Sequence, residues 1–209
     1  MTVLWKVFSD MNRLRIAFLA SNNGTSFRAV YEAIQSDKLD ATAVLLITNK
    51  NHSPAFAFAE EHGVPSFHIP TKGVEADADK RLQETLVGYG ADLVVLSGYL
   101  RKLGPLTLET FKGRILNVHP GLLPKYGGLG MYGRKVHQAV LDNKERSTAA
   151  TIHLVDAQYD HGQTVATEIV PIDAADDISS LEMRVMEAEC VLFVETIRRI
   201  IAGQLPLPF

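Results

Sequence analysis

Four short, uninterrupted apolar runs alternate with helix-patterned stretches, and this alternation narrows the folds open to the chain more than any other feature. The runs are residues 15–20 (RIAFLA), 43–48 (AVLLIT), 92–97 (DLVVLS) and 114–118 (RILNV). A strand that is apolar at successive positions, rather than alternate ones, must be covered on both faces, as the strands of parallel sheets are. The stretches between the runs repeat on a helical period. Residues 26–36 place Phe27, Val30, Tyr31 and Ile34 on one face, residues 54–62 are rich in Ala and Glu before Gly63, Val64 and Pro65, and residues 79–89 are amphipathic. Strand and helix in alternation predict an α/β fold with right-handed crossovers and a mostly parallel sheet flanked by helices.

The last third reads differently. Residues 150–155 and 164–171 are strand-like and flank the turn Tyr159, Asp160, His161, Gly162. Residues 177–201 carry a long helical pattern, with Ser179 or Ser180 as the cap at its start and Gly203 at its end. Segment 127–133, GGLGMYG, is the longest expected loop and leads to a helix around 137–141. There are no repeats, low-complexity stretches or long linkers, and 209 residues with 46% hydrophobic content can bury a core as one domain over 13–209. Residues 1–12 read as an extension ahead of the first strand. They lack the basic start and apolar middle of a signal peptide. No apolar run reaches the roughly 18 residues of a membrane span. A formal net charge of -3 leaves no basic footprint for nucleic acid. The single cysteine, Cys190, excludes a disulfide framework and points to a reducing, cytoplasmic setting. Inside the last helix it reads as a small buried residue rather than a nucleophile. Monomer and homodimer both remain open.

Three polar groupings could carry chemistry. Ser21, Asn22, Asn23, Gly24, Thr25 and Ser26 lie between the first strand and the first helix, where free helix amides, a glycine and hydroxyls would suit a phosphate. An ordinary strand-to-helix turn with a Ser or Thr cap reads the same way. Asn117 and His119, two apart at the end of the fourth run, would point to one side of the sheet's carboxyl edge. An amide and an imidazole there can stabilise an oxyanion and move a proton, or can simply shape a turn before Pro120. Asp160 is either a turn aspartate or a carboxylate that reaches His119, raises its pKa and favours an imidazolium near neutral pH. The other histidines show no metal-site spacing, and His153, in an apolar strand, reads as a satisfied core residue.

Together, the runs NVHPGLLPKYGGLGMYG (117–133) and ATIHLVDAQYDHG (150–162) resemble the glycinamide ribonucleotide formyltransferase family, the small folate-dependent type. The resemblance extends over nearly all of the chain after Asn12. It implies a Rossmann-like formyltransferase fold, with a phosphate-binding half over 13–115 and a catalytic and folate-binding half over 116–209. It puts Gly24, Thr25 and Ser26 at the ribonucleotide phosphate, with Ser26 standing where the family usually has Asn. Asn117, His119 and Asp160 match the family's catalytic trio. Leu100, Arg101, Lys102 and Leu103, the segment Asp156, Ala157, Gln158, Tyr159 and Asp160, and Asn117 match its folate site. Glu189 matches a ribonucleotide contact, and Met186 stands where some relatives are polar. A basic residue that some relatives place near the folate tail falls near Glu75 and is not carried over.

The implied reaction moves a formyl group from 10-formyltetrahydrofolate to the primary amine of glycinamide ribonucleotide, a step of de novo purine synthesis, with no metal. Asn117 and a protonated His119 would stabilise the oxyanion, and Asp160 would hold the imidazole charged. The implied partners are these small molecules, not nucleic acid or membrane. Formyl-folate hydrolases and methionyl-tRNA formyltransferases share the core but usually carry an added domain. A sugar nucleotide or another amine is the alternative acceptor, since Ser26 and Met186 both lie on the acceptor side. A non-catalytic nucleotide-binding domain is the rival from another class.

Overall fold

The computed structural model describes residues 13–209, and the extension expected over 1–12 lies outside them. Among the described residues, one seven-stranded sheet runs in the order β3-β2-β1-β4-β5-β6-β7. Its strands are β1 (Leu14–Ala20), β2 (Ala41–Thr48), β3 (Ser66–His68), β4 (Leu93–Leu96), β5 (Ile115–His119), β6 (Ser147–Leu154) and β7 (Thr164–Pro171). The helices are α1 (Thr25–Gln35), α2 (Pro54–Glu61), α3 (Glu75–Gly88), α4 (Pro105–Thr110), α5 (Arg134–Asp142) and α6 (Ile178–Ile201). The first five strands pair in parallel, while β6 and β7 run antiparallel.

The four apolar runs are four of the five parallel strands, and their burial on both sides explains the missing alternation. Ile16 and Phe18 join the cluster under α1, α2 and α6, while Ala17 and Leu19 face the cluster under α3 and α4. Two elements escape the sequence pattern. β3 is a three-residue edge strand with no fully buried side chain, and α4 is six residues long, too short to establish a period. β6 also begins at Ser147, ahead of the expected 150. The cap of α6 is neither Ser179 nor Ser180. Asp177 accepts from the Ser180 amide while the Ser180 hydroxyl accepts from the Asp177 amide, a reciprocal capping box. The buried Asp79 of α3 caps α4 from outside, its carboxylate accepting from the amides of Leu106 and Thr107 and from the Thr107 hydroxyl.

The sheet order reverses at β1, between β1 and β4, and loops at the carboxyl ends there form the crevice where open α/β sheets bind ligands. Ser21, fully buried, ties three strand ends together. Its hydroxyl donates to Asn49 Oδ1 at 2.6 Å and accepts from the Leu100 amide at 2.8 Å. The hydroxyl expected to offer itself to a phosphate is therefore committed to the frame.

Candidate active site

Strand alternation puts Asn117 and His119 of β5 on one face, as the spacing implies. Chain pairing then adds a residue from β6. In the β5–β6 register Asn117 stands opposite His153, and their side chains meet, Asn117 Nδ2 to His153 Nε2, at 3.0 Å. Asp160 arrives from the β6–β7 connection, at φ 56, in left-handed backbone that aspartate tolerates better than most residues. Its Oδ2 lies 3.5 Å from His119 Nδ1 and its Oδ1 lies 3.5 Å from His153 Nε2. The Gly128 amide donates to Oδ2 at 2.9 Å. On the far side of the His119 ring, Nε2 sits 2.7 Å from the Tyr126 carbonyl. Tyr126 is itself held by its hydroxyl, which donates to Glu145 Oε1.

These contacts assign the protons. A carbonyl oxygen only accepts, so His119 carries hydrogen on Nε2, and in the neutral ring Nδ1 is the free base, facing Asp160. Burial is the largest influence on His119 and pulls its pKa below the ordinary 6.5. Asp160 and the Tyr126 carbonyl push the other way, and His153 adds to the depression. The expectation of an imidazolium at neutral pH is therefore corrected. The carboxylate does approach, but the ring is 3% exposed and Asp160 divides its charge between two histidines. Asp160 feels burial most, which raises its pKa, yet His153, His119 and the Gly128 amide together leave it below the usual carboxylate value. It stands ionised, ready to stabilise a charge on His119 once one forms.

His153 is the buried, hydrogen-bonded histidine that the sequence suggests, and it also stands against Asn117. Its Nδ1 meets the Leu154 carbonyl at 2.8 Å, and its Nε2 lies between the Asn117 amide at 3.0 Å and Asp160 Oδ1 at 3.5 Å. That fixes which way the Asn117 carboxamide faces and leaves its second N–H for a ligand. The β5–β6 register carries the signal, and it can be read only once the two strands are known to be neighbours. We expect His153→Leu to lower kcat by about tenfold to a hundredfold with a folded protein, because the Asn117 amide is kept but loses the partner that aims it. A His153→Leu enzyme with wild-type kcat would show that Asn117 needs no such support.

The other expected residues divide into two sides. At the first turn of α1, Gly24 is the N-cap at φ 62 with no side-chain cap; the Phe27 amide donates to the Ser97 hydroxyl at 3.0 Å, which leaves the Thr25 and Ser26 amides for an anion. A Cβ at Gly24 would lie 2.8 Å from that of Ala55, so only glycine fits this approach. Ser26 is almost wholly buried and Thr25 half-buried. Glu189, on the buried stripe of α6, forms no hydrogen bond or ion pair with the described residues. It is half-buried, and desolvation pushes its carboxyl up to about 8. Met186, one turn earlier, is partly exposed. On the opposite side, Leu100, Arg101 and Lys102 are exposed after β4, whereas Leu103 packs into the core with Tyr99 and Phe111. Residues 156–159 are exposed, and Asp156 shapes them by accepting from the Gln158 amide.

The Glu189 carboxyl links stability to pH. The folded state keeps the proton up to about 8, while an ordinary carboxyl releases it near 4.5. Stability is therefore complete below the unfolded value and declines as pH rises through 8. Glu189→Gln, which stays neutral, should match the wild-type Tm near pH 4.5 and exceed it at pH 8.5. Equal Tm values at pH 8.5 would contradict a desolvated carboxyl.

No group of three or more His, Cys, Asp or Glu among the described residues could hold a metal ion, and no helix there is long and apolar enough to cross a membrane. Comparison with known proteins gives consistent matches. The family model described as formyl transferase matches residues 14–197. The chain is 36% identical over 191 residues to the chloroplastic phosphoribosylglycinamide formyltransferase of Arabidopsis thaliana, covering 90% of this chain but 65% of that protein, just under two thirds of its length. It is 32% identical over 195 residues to the phosphoribosylglycinamide formyltransferase of Haemophilus influenzae, covering 92% of this chain and 90% of that one. Glycinamide ribonucleotide transformylase 1 from Symbiobacterium toebii has the same fold at a TM-score of 0.86 and 28% identity, over 94% of this chain and 91% of that one.

Proposed function

The chain belongs to the formyl transferase family, and from that premise we propose that it transfers a formyl group from 10-formyltetrahydrofolate to the amine of glycinamide ribonucleotide. The observation that carries this reading is the meeting of Asn117, His119 and Asp160 at the carboxyl end of β5. The relatives' names supply the acceptor and the transferred group. A formyl-folate held there would supply the one-carbon unit. Its side of the crevice offers exposed Leu100 and Tyr159 as apolar surfaces and the peptide groups of 156–159 as polar ones, which suits a flat ring with amide-like edges. The acceptor side offers the Thr25 and Ser26 amides for a phosphate and, in Glu189, a half-buried carboxyl that suits hydroxyl groups.

His119, neutral at rest, takes a proton from the attacking amine at Nδ1. Asp160 then faces an imidazolium and stabilises it, and the same Nδ1 returns the proton to the departing nitrogen. Asn117 directs its free N–H at the oxygen where negative charge develops. Preorganised donors of this kind need no rearrangement as charge forms, and each contributes about 10²–10³ in rate. The setting proposed is a reducing compartment such as the cytoplasm.

The experiment is formyl transfer followed by the absorbance of a released tetrahydrofolate analogue, with glycinamide ribonucleotide and UDP-amino sugars offered as competing acceptors. Turnover of the ribonucleotide that disappears in His119→Ala supports the reading. Turnover of the sugar nucleotide alone would reassign the acceptor.

A further inference from the structure

We propose that Glu145, on the turn between α5 and β6, is a positioning residue that acts through Tyr126 to hold the His119 ring against Asp160. The inference rests on the reading above for the part His119 plays. Of residues 122–133, on the way from β5 to α5, only Tyr126 is buried. Its ring packs with Val136, Val140, Val170, Leu181 and Val185. Gly127 and Gly128 follow it, so the backbone beyond has little stiffness of its own. Yet this short stretch touches both proposed reacting groups. The Tyr126 carbonyl accepts from His119 Nε2 at 2.7 Å, and the Gly128 amide donates to Asp160 Oδ2 at 2.9 Å. Whatever fixes Tyr126 therefore fixes the base and its carboxylate relative to each other.

A ring in an apolar cluster has no directional contact to stop it sliding, and a bonded hydroxyl supplies one. The Tyr126 hydroxyl donates to Glu145 Oε1 at 2.7 Å, and Lys125 Nζ donates to the same oxygen at 2.6 Å. Lys125 first, and then the Tyr126 hydroxyl, hold the Glu145 carboxyl below its ordinary value. The phenol is thus bonded to a charged acceptor, roughly twice as strong an interaction as with a neutral one. Glu145 is held in turn by its backbone amide, which donates to the Val140 carbonyl of α5 at 3.3 Å. By itself the exposed Lys125–Glu145 pair would contribute little. The phenol is what carries its effect inward, from the turn after α5 to a carbonyl on the imidazole. The other ionisable groups whose charge His119 feels are Asp160, His153 and, from α5, His137. Tyr126 is the link between His119 and Glu145.

The test reads His119 directly, by NMR of the free protein with isotope-labelled histidine, in wild type, Tyr126→Phe, Glu145→Ala, Glu145→Gln and Lys125→Ala. Tyr126→Phe removes the hydroxyl and keeps the core filled. The Tyr126 carbonyl and Asp160 both raise the His119 pKa against burial. Loosening them should move the His119 titration to lower pH and reduce the share of the Nε2–H form, in Tyr126→Phe and in Glu145→Ala alike. Glu145→Gln keeps an oxygen for the phenol, and Lys125→Ala leaves the phenol its carboxylate, so both should stay close to wild type. In turnover, Tyr126→Phe and Glu145→Ala should lower kcat roughly tenfold with both KM values within a few-fold, a displacement of about 1 Å being enough for about 10². The acid limb of kcat/KM should shift with the titration. A His119 titration and tautomer unchanged in Tyr126→Phe or in Glu145→Ala would overturn the proposal, whatever the change in Tm, and leave the formyltransferase reading intact. So would an equal shift in Lys125→Ala, which would place the effect in the surface ion pair and not in the phenol. Conversely, a His119 that shifts as expected in a protein that does not formylate glycinamide ribonucleotide would overturn that reading and keep this one.

Discussion

Replacing His119 with alanine is expected to lower kcat by about 10³-fold, within the range for a positioned acid–base group, and to leave both KM values within a few-fold. The ring is buried, its Nε2 is fixed to the Tyr126 carbonyl and its Nδ1 faces Asp160, so no solvent group can take over its proton transfer. The pH profile carries the sharper distinction. Because burial holds the pKa below 6.5, the free enzyme has a neutral His119 at pH 7. kcat/KM should rise with pH through a value below 6.5 and then stay level, as for a base that must be unprotonated to begin. An activity that instead falls as pH rises through 6.5 would mean that the imidazolium is the resting form. Asp160→Asn should move that acid limb further down, since the charge opposing the burial effect is gone, and should lower kcat because the imidazolium formed in turnover loses its counterion.

The second large effect is expected at Gly162, which touches none of the proposed reacting groups. A Cβ there would collide with the Leu154 carbonyl oxygen and lie 2.8 Å from its carbon. Both are main-chain atoms at the end of β6, where the Leu154 amide donates to the Gln163 carbonyl at 2.9 Å, so neither side can yield cheaply. Gly162→Ala must displace the β6–β7 connection. The cost is placed at about 3 kcal/mol, the upper end for overpacking, and should appear as a lower Tm. Asp160, two residues earlier in that connection, would move with it, so kcat should fall more than tenfold even at temperatures where the variant is folded. A variant with wild-type Tm and kcat would show that the connection has slack.

Legibility differed from element to element for physical reasons. The strands β1, β2, β4 and β5 were readable because they are buried on both faces, and continuous apolar runs announce that burial locally. β3 and α4 were not, since a three-residue edge strand and a six-residue helix bury too little to leave a pattern. The α6 cap was read one turn off, because Asp177 and Ser180 complete a box that needs both partners in place. Within the site, Asn117 and His119 were legible from strand alternation. The place of His153 beside Asn117 was not, because an imidazole in an apolar strand looks the same whether it faces a core or an active residue.

By itself the sequence determined the layered α/β order and the face shared by Asn117 and His119, since both follow from periodicities of 3.6 and 2 that act between near neighbours. Only the tertiary structure decided that β6 turns antiparallel against β5 and sets His153 opposite Asn117, 36 residues away in the chain. It also decided that Asp160 reaches both histidines and that His119 rests neutral. Register and burial are set by segments distant in sequence packing together, and the balance between desolvation and a carboxylate 3.5 Å away exists only once they have done so.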